Sequence, residues 1–193
     1  MGLFDIIKGQ RPAKRANIDS LFALSTSYLT LSVNLSLPST GRAAVCFKPI
    51  ASGEFEDVIR DMDQLLDIAG RTTGTSVERH EDDYGFVWIV LEDESFEDLV
   101  TTAHMVNQTI EERGFSEQLL CSVFGFRDEE REQPVDLVYA YKRGTFYPFV
   151  PTGEKKRDNA RELRLKAVLE KEMPVEQELE RWYPVWGAPV SSN

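Results

Sequence analysis

Tyr84-Gly85-Phe86-Val87-Trp88-Ile89-Val90-Leu91, followed by Ser95-Phe96-Glu97-Asp98-Leu99-Val100, decides how this chain folds. The first run is almost entirely apolar and rich in aromatic and β-branched residues, which marks a buried central strand. The second opens a helix. Ser95 is a capping residue, Asp98 stands three positions on in a capping-box arrangement, and Phe96, Leu99, Val100, Ala103, Val106 and Ile110 form one apolar stripe. Gly114 ends that helix. Working backwards, a weak polar strand is predicted over 75–80. Before it a helix over 53–69 carries Phe55, Val58, Ile59, Met62, Leu65, Leu66 and Ala69 at helical spacing, with Gly70 as its cap. Ala43 to Ile50 reads as a strand after a turn at 38–41. Working forwards, Leu119 to Phe126 is a strand, 128–132 a charged turn, Val135 to Tyr141 a final strand, and 158–171 a helix.

The order β-α-β-β-α-β over 42–127 is that of a ferredoxin-like split βαβ unit. The expected fold is therefore α+β, in two layers. Helices cover one face of a mixed or antiparallel sheet, with flanking strands and a C-terminal helix. An alternative ignores the first strand and reads α-β-β-α-β-β-α from 53 onward, like the small α+β fold of secretion chaperones. Ahead of this core, Asn17 to Leu24 reads as a short helix, and Tyr28 to Leu35 alternates with period two like a half-buried strand. The chain divides into an arm (1–16), one α+β domain (17–172) and a tail rich in Pro and Trp (173–193). Phe55-Glu56-Asp57-Val58 recurs as Phe96-Glu97-Asp98-Leu99. Either a duplication or the ordinary preference for acids in a first turn produces that.

The chain has 193 residues, of which 41% are hydrophobic and 28% charged, so it is neither collagenous nor wholly disordered. One core suffices, because a body of this size buries roughly 70% of the surface its unfolded chain exposes. The net charge of −11 repels phosphate and disfavours nucleic acid as a general partner. Cys46 and Cys121 lie in separate apolar runs and make neither a disulfide framework nor a zinc cluster. They read as buried, reduced core residues. No apolar run reaches the ~18 residues of a bilayer span. The opening does not fit a signal peptide, and Ile6 stands where myristoylation wants Ser or Thr. The expected location is the cytoplasm. Leu3, Phe4, Ile6, Ile7 and Lys8 make a short amphipathic arm. It either docks on its own domain or gives weak contact with the inner membrane surface, a peripheral place.

A search for chemistry finds little. No serine sits in a G-x-S-x-G elbow, and no glycine-rich phosphate loop is present. His80 lies in a hydrophilic turn, His104 beside an apolar helix stripe, and neither has partners placed for a metal. The reading is a protein that is not an enzyme and needs no cofactor or metal. The C-terminal third is more specific. Lys142-Arg143-Gly144-Thr145-Phe146-Tyr147-Pro148-Phe149 concentrates rings and bases, Arg157 opens the last helix, and Arg181-Trp182-Tyr183-Pro184-Val185-Trp186 adds two indoles where no helix or strand period demands them. Such rigid rings either wrap back onto the domain or anchor a partner, and one segment can do both.

The chain resembles the PspA-associated protein family called PspAB. The resemblance rests on Met1-Gly2-Leu3-Phe4-Asp5, Asn17-Ile18-Asp19-Ser20-Leu21-Phe22-Ala23-Leu24, Gly41-Arg42-Ala43-Ala44-Val45-Cys46-Phe47, Tyr84-Gly85-Phe86-Val87-Trp88 and Leu119-Leu120-Cys121-Ser122-Val123-Phe124. Its most specific pieces are Lys142 to Phe149, Arg157-Asp158-Asn159-Ala160 and Trp182-Tyr183-Pro184-Val185-Trp186-Gly187-Ala188-Pro189. The resemblance implies a place in the phage-shock, or envelope-stress, response beside the membrane-binding coiled-coil protein PspA, and it implies no catalytic residues. The expected function is thus a non-enzymatic interaction protein. Its partner surface would be built from Arg143, Phe146, Tyr147, Phe149, Arg157, Trp182 and Trp186, with the rings as apolar anchors and the arginines as forked donors to acids on a partner helix. The competing expectation is a small-ligand sensor or unrecognised enzyme, with a pocket between sheet and tail where Lys142 and Arg143 bind an anion.

Overall fold

The structure, a computed structural model, describes residues 19–190. The arm at 1–16, with Leu3, Phe4, Ile6, Ile7 and Lys8, lies outside the described residues.

The strand-and-helix core forms as the sequence predicts. Strand β1 (Ser39–Phe47), helix α2 (Gly53–Thr73), strands β2 (Ser76–Glu81) and β3 (Val87–Glu92), helix α3 (Phe96–Glu112) and strand β4 (Leu119–Asp128) follow in order. Strands β5 (Gln133–Ala140) and β6 (Thr145–Phe149) extend the sheet, whose order is β2-β3-β1-β4-β5-β6. Every neighbouring pair is antiparallel. The first four strands have the ferredoxin-like order, and β1 lies between β3 and β4, so the arrangement that omits β1 is not the one formed. A two-stranded ribbon, β7 (Pro151–Gly153) and β8 (Lys156–Arg157), leads into helix α4 (Asn159–Leu169).

Helix α3 starts on the expected Ser95, whose hydroxyl accepts the Asp98 N–H, and α2 starts in the same way on Ser52, whose hydroxyl accepts the Phe55 N–H. Helix α2 runs past Gly70. It ends where Gly74, at φ 88°, takes the left-handed conformation and donates its N–H to the Gly70 carbonyl at 2.8 Å.

Two readings are corrected. Residues 28–35 are not a strand. A 3-10 turn (Asp19–Phe22), helix α1 (Ala23–Leu29) and a π-helical turn (Thr30–Asn34) form one continuous helical segment. Leu21, Leu24 and Leu31 are buried, while Leu29 and Val33 are exposed, and the Tyr28 ring stacks on Phe96 at 4.2 Å. Helical packing against α3 outweighs the local alternation. Nor is Val135–Tyr141 the last strand, because Thr145–Phe149 pairs with β5. Pro148 is tolerated in β6 because β6 is an edge strand of the sheet.

Alternation along β4 separates the two faces of the sheet. Phe124 and Phe126 meet Phe96 of α3 on one face. On that face, too, Tyr141 hydrogen-bonds Ser122 and Asn107 in a buried set that pins α3 to the sheet. Cys121, Val123 and Gly125 point the other way, toward the C-terminal segment.

Candidate functional site: a cleft between sheet and strap

Residues 173–190 form a strap across the face of the sheet opposite the helices. Its first part closes the open edge. The Phe146 N–H donates to the Pro174 carbonyl and the Glu176 N–H to the Phe146 carbonyl, both at 2.8 Å, which makes a short parallel bridge on β6. The Trp182 ring then lies over Tyr147, with centroids 6.0 Å apart and planes 19° apart. Its indole N–H donates to the Glu176 carbonyl at 3.0 Å. The Tyr147 hydroxyl donates to the Tyr183 carbonyl at 2.9 Å. Burial pushes the Tyr147 hydroxyl up, so it stays protonated and a donor. Arg157 donates to the Trp182 carbonyl at 2.8 Å and to Glu162 at 2.8 Å, and its guanidinium sits 5.0 Å from the Phe149 centroid. Glu162 also accepts the Val150 N–H at 2.9 Å. At the end of the strap, Trp186 meets Phe149 edge-on at 4.8 Å, and Val190 is fully buried.

Where the strap rises off the sheet it leaves a cleft of about 710 Å3. Leu120, Cys121 and Ala140 make the floor, and Tyr147 and Val185 the walls. Lys142, Arg143, Arg181 and Tyr183 stand at the mouth. Glu176 is the acid inside it. Its carboxylate lies 3.5 Å from Arg143 and 3.9 Å from Arg181, and it accepts the Glu178 N–H at 3.1 Å. Arg181 is shared with Glu178 at 2.7 Å, and Lys142 has no ion pair among the described residues. Two arginines meet one buried carboxylate at this opening and Lys142 stands beside them, in a chain whose overall charge is −11. An apolar floor with a cationic rim fits an apolar group that carries an acid. By contrast, the groove along α2 and β2 is lined by charges already satisfied in the pairs Arg71–Asp67 and Arg79–Asp63.

Of the expected site residues, the structure brings Arg143 and Tyr147 to the cleft, spreads the others around it, and turns most of the rings inward. Phe146 is fully buried on the helix-bearing face, and Tyr147, Phe149 and Trp182 are buried under the strap. Arg157 is held within the chain. Arg143 is exposed at the mouth of the cleft, and Trp186 is half-buried beside a second hollow of about 840 Å3 next to the β7–β8 ribbon. Sequence reasoning missed Glu176, Arg181, Tyr183 and Cys121 as neighbours. Arg181 and Tyr183 flank Trp182 in the same aromatic run, so a signal was there. Nothing in the sequence placed Glu176 or Cys121 beside them. His80 is exposed on β2, and His104 rests on the Phe22 ring at 4.6 Å. Among the described residues no group of three His, Cys, Asp or Glu side chains is placed to hold a metal ion.

A family model described as PspA associated protein B matches residues 1–190. The chain belongs to this PspAB family. The cleft and its strap lie within the residues that the PspAB model matches. No curated protein and no solved structure matches the chain. No helix among the described residues is long and apolar enough to cross a membrane.

Proposed function

We propose that this chain is a non-catalytic partner of PspA in the phage-shock response and binds it at the cleft between sheet and strap. The match of the PspA associated protein B model to residues 1–190 carries the choice of partner, since the family is named for that association. The rim of Lys142, Arg143 and Arg181 above an apolar floor supports the choice of surface. A helical, coiled-coil partner inserts one or two large apolar side chains there and sets carboxylates against the cations. The buried rings Tyr147 and Trp182 hold the surface in shape from beneath, Phe146 backs β6 from the other face, and Phe149 and Trp186 anchor the end of the strap beside the second hollow. Leu3, Phe4, Ile6, Ile7 and Lys8 add weak contact with the inner membrane surface and keep the protein cytoplasmic but peripheral.

Capture of PspA by the purified full chain tests both parts. The variant Lys142→Glu/Arg143→Gln/Tyr183→Ala changes the rim without touching the buried rings. It is expected to weaken capture on the order of tenfold while unfolding at the wild-type temperature. Undiminished capture by this variant overturns the surface, and no capture by the wild type overturns the partner. A second reading rests on the cleft itself, whose volume and cationic rim suit a small organic anion. A thermal shift with one anionic metabolite, together with no PspA capture, would favour it.

A further inference from the structure

The two cysteines, 75 positions apart in the chain, lie side by side in the folded sheet. In the pairing of β1 with β4, Cys46 stands directly opposite Cys121. Directly opposed residues in antiparallel strands have Cα atoms about 4.5 to 5.5 Å apart, within the span that a disulfide bridges. Their side chains share the strap-facing side of the sheet, so each thiol is the other's cross-strand neighbour. The pair is also asymmetric. Cys46 is 3% exposed, whereas Cys121 is half-buried and forms part of the cleft floor. Packing alone asks for two small apolar groups here. It does not account for one thiol facing its partner and the other facing a cation-rimmed opening.

We propose that Cys46 and Cys121 form a dithiol site for reversible oxidation, entered from the cleft by a low-molecular-weight disulfide that bears carboxylates. Cys121 reacts first. Its thiolate attacks one sulfur of the reagent, the reagent's S–S bond breaks, and one half leaves as thiolate. Lys142 and Arg143 at the rim attract the reagent's carboxylates. The neighbouring Cys121 thiol and burial hold the Cys46 thiol protonated, which keeps it out of the first step. In the second step the Cys46 sulfur attacks the Cys121 sulfur. The Cys46–Cys121 bond forms, the bond between Cys121 and the reagent breaks, and the second half of the reagent leaves as a thiol carrying the Cys46 proton. Two electrons pass from the protein pair to the reagent, which ends as two thiols. The site stands whether or not the cleft binds PspA, because its readout is chemical.

The test uses the full chain under native conditions, with glutathione disulfide as the probe. After incubation the wild type is expected to lose both free thiols, to weigh about 2 Da less as two hydrogens leave, and to recover its mass with dithiothreitol. Cys46→Ala is expected to stop with one glutathione on Cys121, and Cys121→Ala to remain unmodified. Brief alkylation of the untreated wild type keeps the test independent of variants that fail to fold, with Cys121 expected to label at least tenfold faster than Cys46. The proposal is overturned if the wild type keeps both thiols or stops at a stable mixed disulfide. Disulfide-linked dimers, or labelling of Cys46 first, overturn it equally.

Discussion

At the β2–β3 turn a single carboxylate organises the backbone. Asp82 accepts the N–H groups of Tyr84 and Phe86 at 2.9 and 3.0 Å and the Trp88 indole N–H at 2.9 Å. Partial burial works against its charge, but these donors outweigh that, and its carboxyl titrates below the usual carboxylate range. A folded pKa depressed in this way adds stability above the unfolded pKa, and that stability is lost as pH falls through the folded value. Asp82→Ala is expected to cost about 1–2 kcal/mol at pH 7 in urea unfolding, with the gap to wild type narrowing in strong acid. An unchanged gap at both pH values would sink this account. Gly125 makes a different demand. A Cβ there would lie 2.5 Å from the Thr40 hydroxyl oxygen and 2.7 Å from the Val190 carbonyl oxygen. The constraint is close approach of the strap, since the Gly125 backbone itself is ordinary strand. Gly125→Ala is expected to cost about 1–3 kcal/mol and to speed proteolysis within 186–190. Equal cleavage rates in variant and wild type would mean that the strap does not bear on Gly125.

The elements that were legible in the sequence are those in which local and tertiary signals agree. Helices α2 and α3 both show an apolar stripe, α3 together with its serine cap, and both start where expected. Residues 28–35 carried two periods at once. Leu29, Leu31, Val33 and Leu35 alternate, yet Leu21, Leu24, Tyr28, Leu31 and Leu35 follow helical steps. Packing on Phe96 selected the second. Strand β6 was hidden by Gly144 and Pro148, which read as loop until an edge position makes the proline harmless. The cleft was half legible. Its cations and rings stand in two runs of sequence, but the inward turn of the rings depends on strand register, which no local signal fixes. The strap's own anchor gives the test at this scale. Trp182 is 5% exposed, stacked on Tyr147 and hydrogen-bonded to Glu176. Trp182→Ala is expected to cost about 3–5 kcal/mol, measured by chemical unfolding. A loss under about 1 kcal/mol would make the stacking incidental.

For the molecule as a whole, the open issue is whether the strap belongs to the domain or merely follows it, as a division at 172/173 supposes. The sheet answers through its composition. Residues Val135–Tyr139 of β5 are buried without a break, as are Ser122–Phe126 of β4, so side chains on both faces of these strands are out of water. A sheet covered on one side only would alternate apolar with polar residues. Helices cover one face, and the strap supplies cover on the other through Trp182, Ala188 and Val190. Removing it also strips the bridge from β6 and leaves a bare sheet edge. A chain cut after Glu172 would therefore present Val123, Val138, Tyr147 and Phe149 to water as one apolar patch. Such a patch favours self-association. The truncated chain is expected to bind a hydrophobic dye, to associate on light scattering and to lose the cooperative unfolding of the full chain. A monomeric product with the full chain's unfolding midpoint would show that the strap is an appendage. The cleft between sheet and strap would then lack a rigid wall, and the docking surface assigned to it would lose its physical basis.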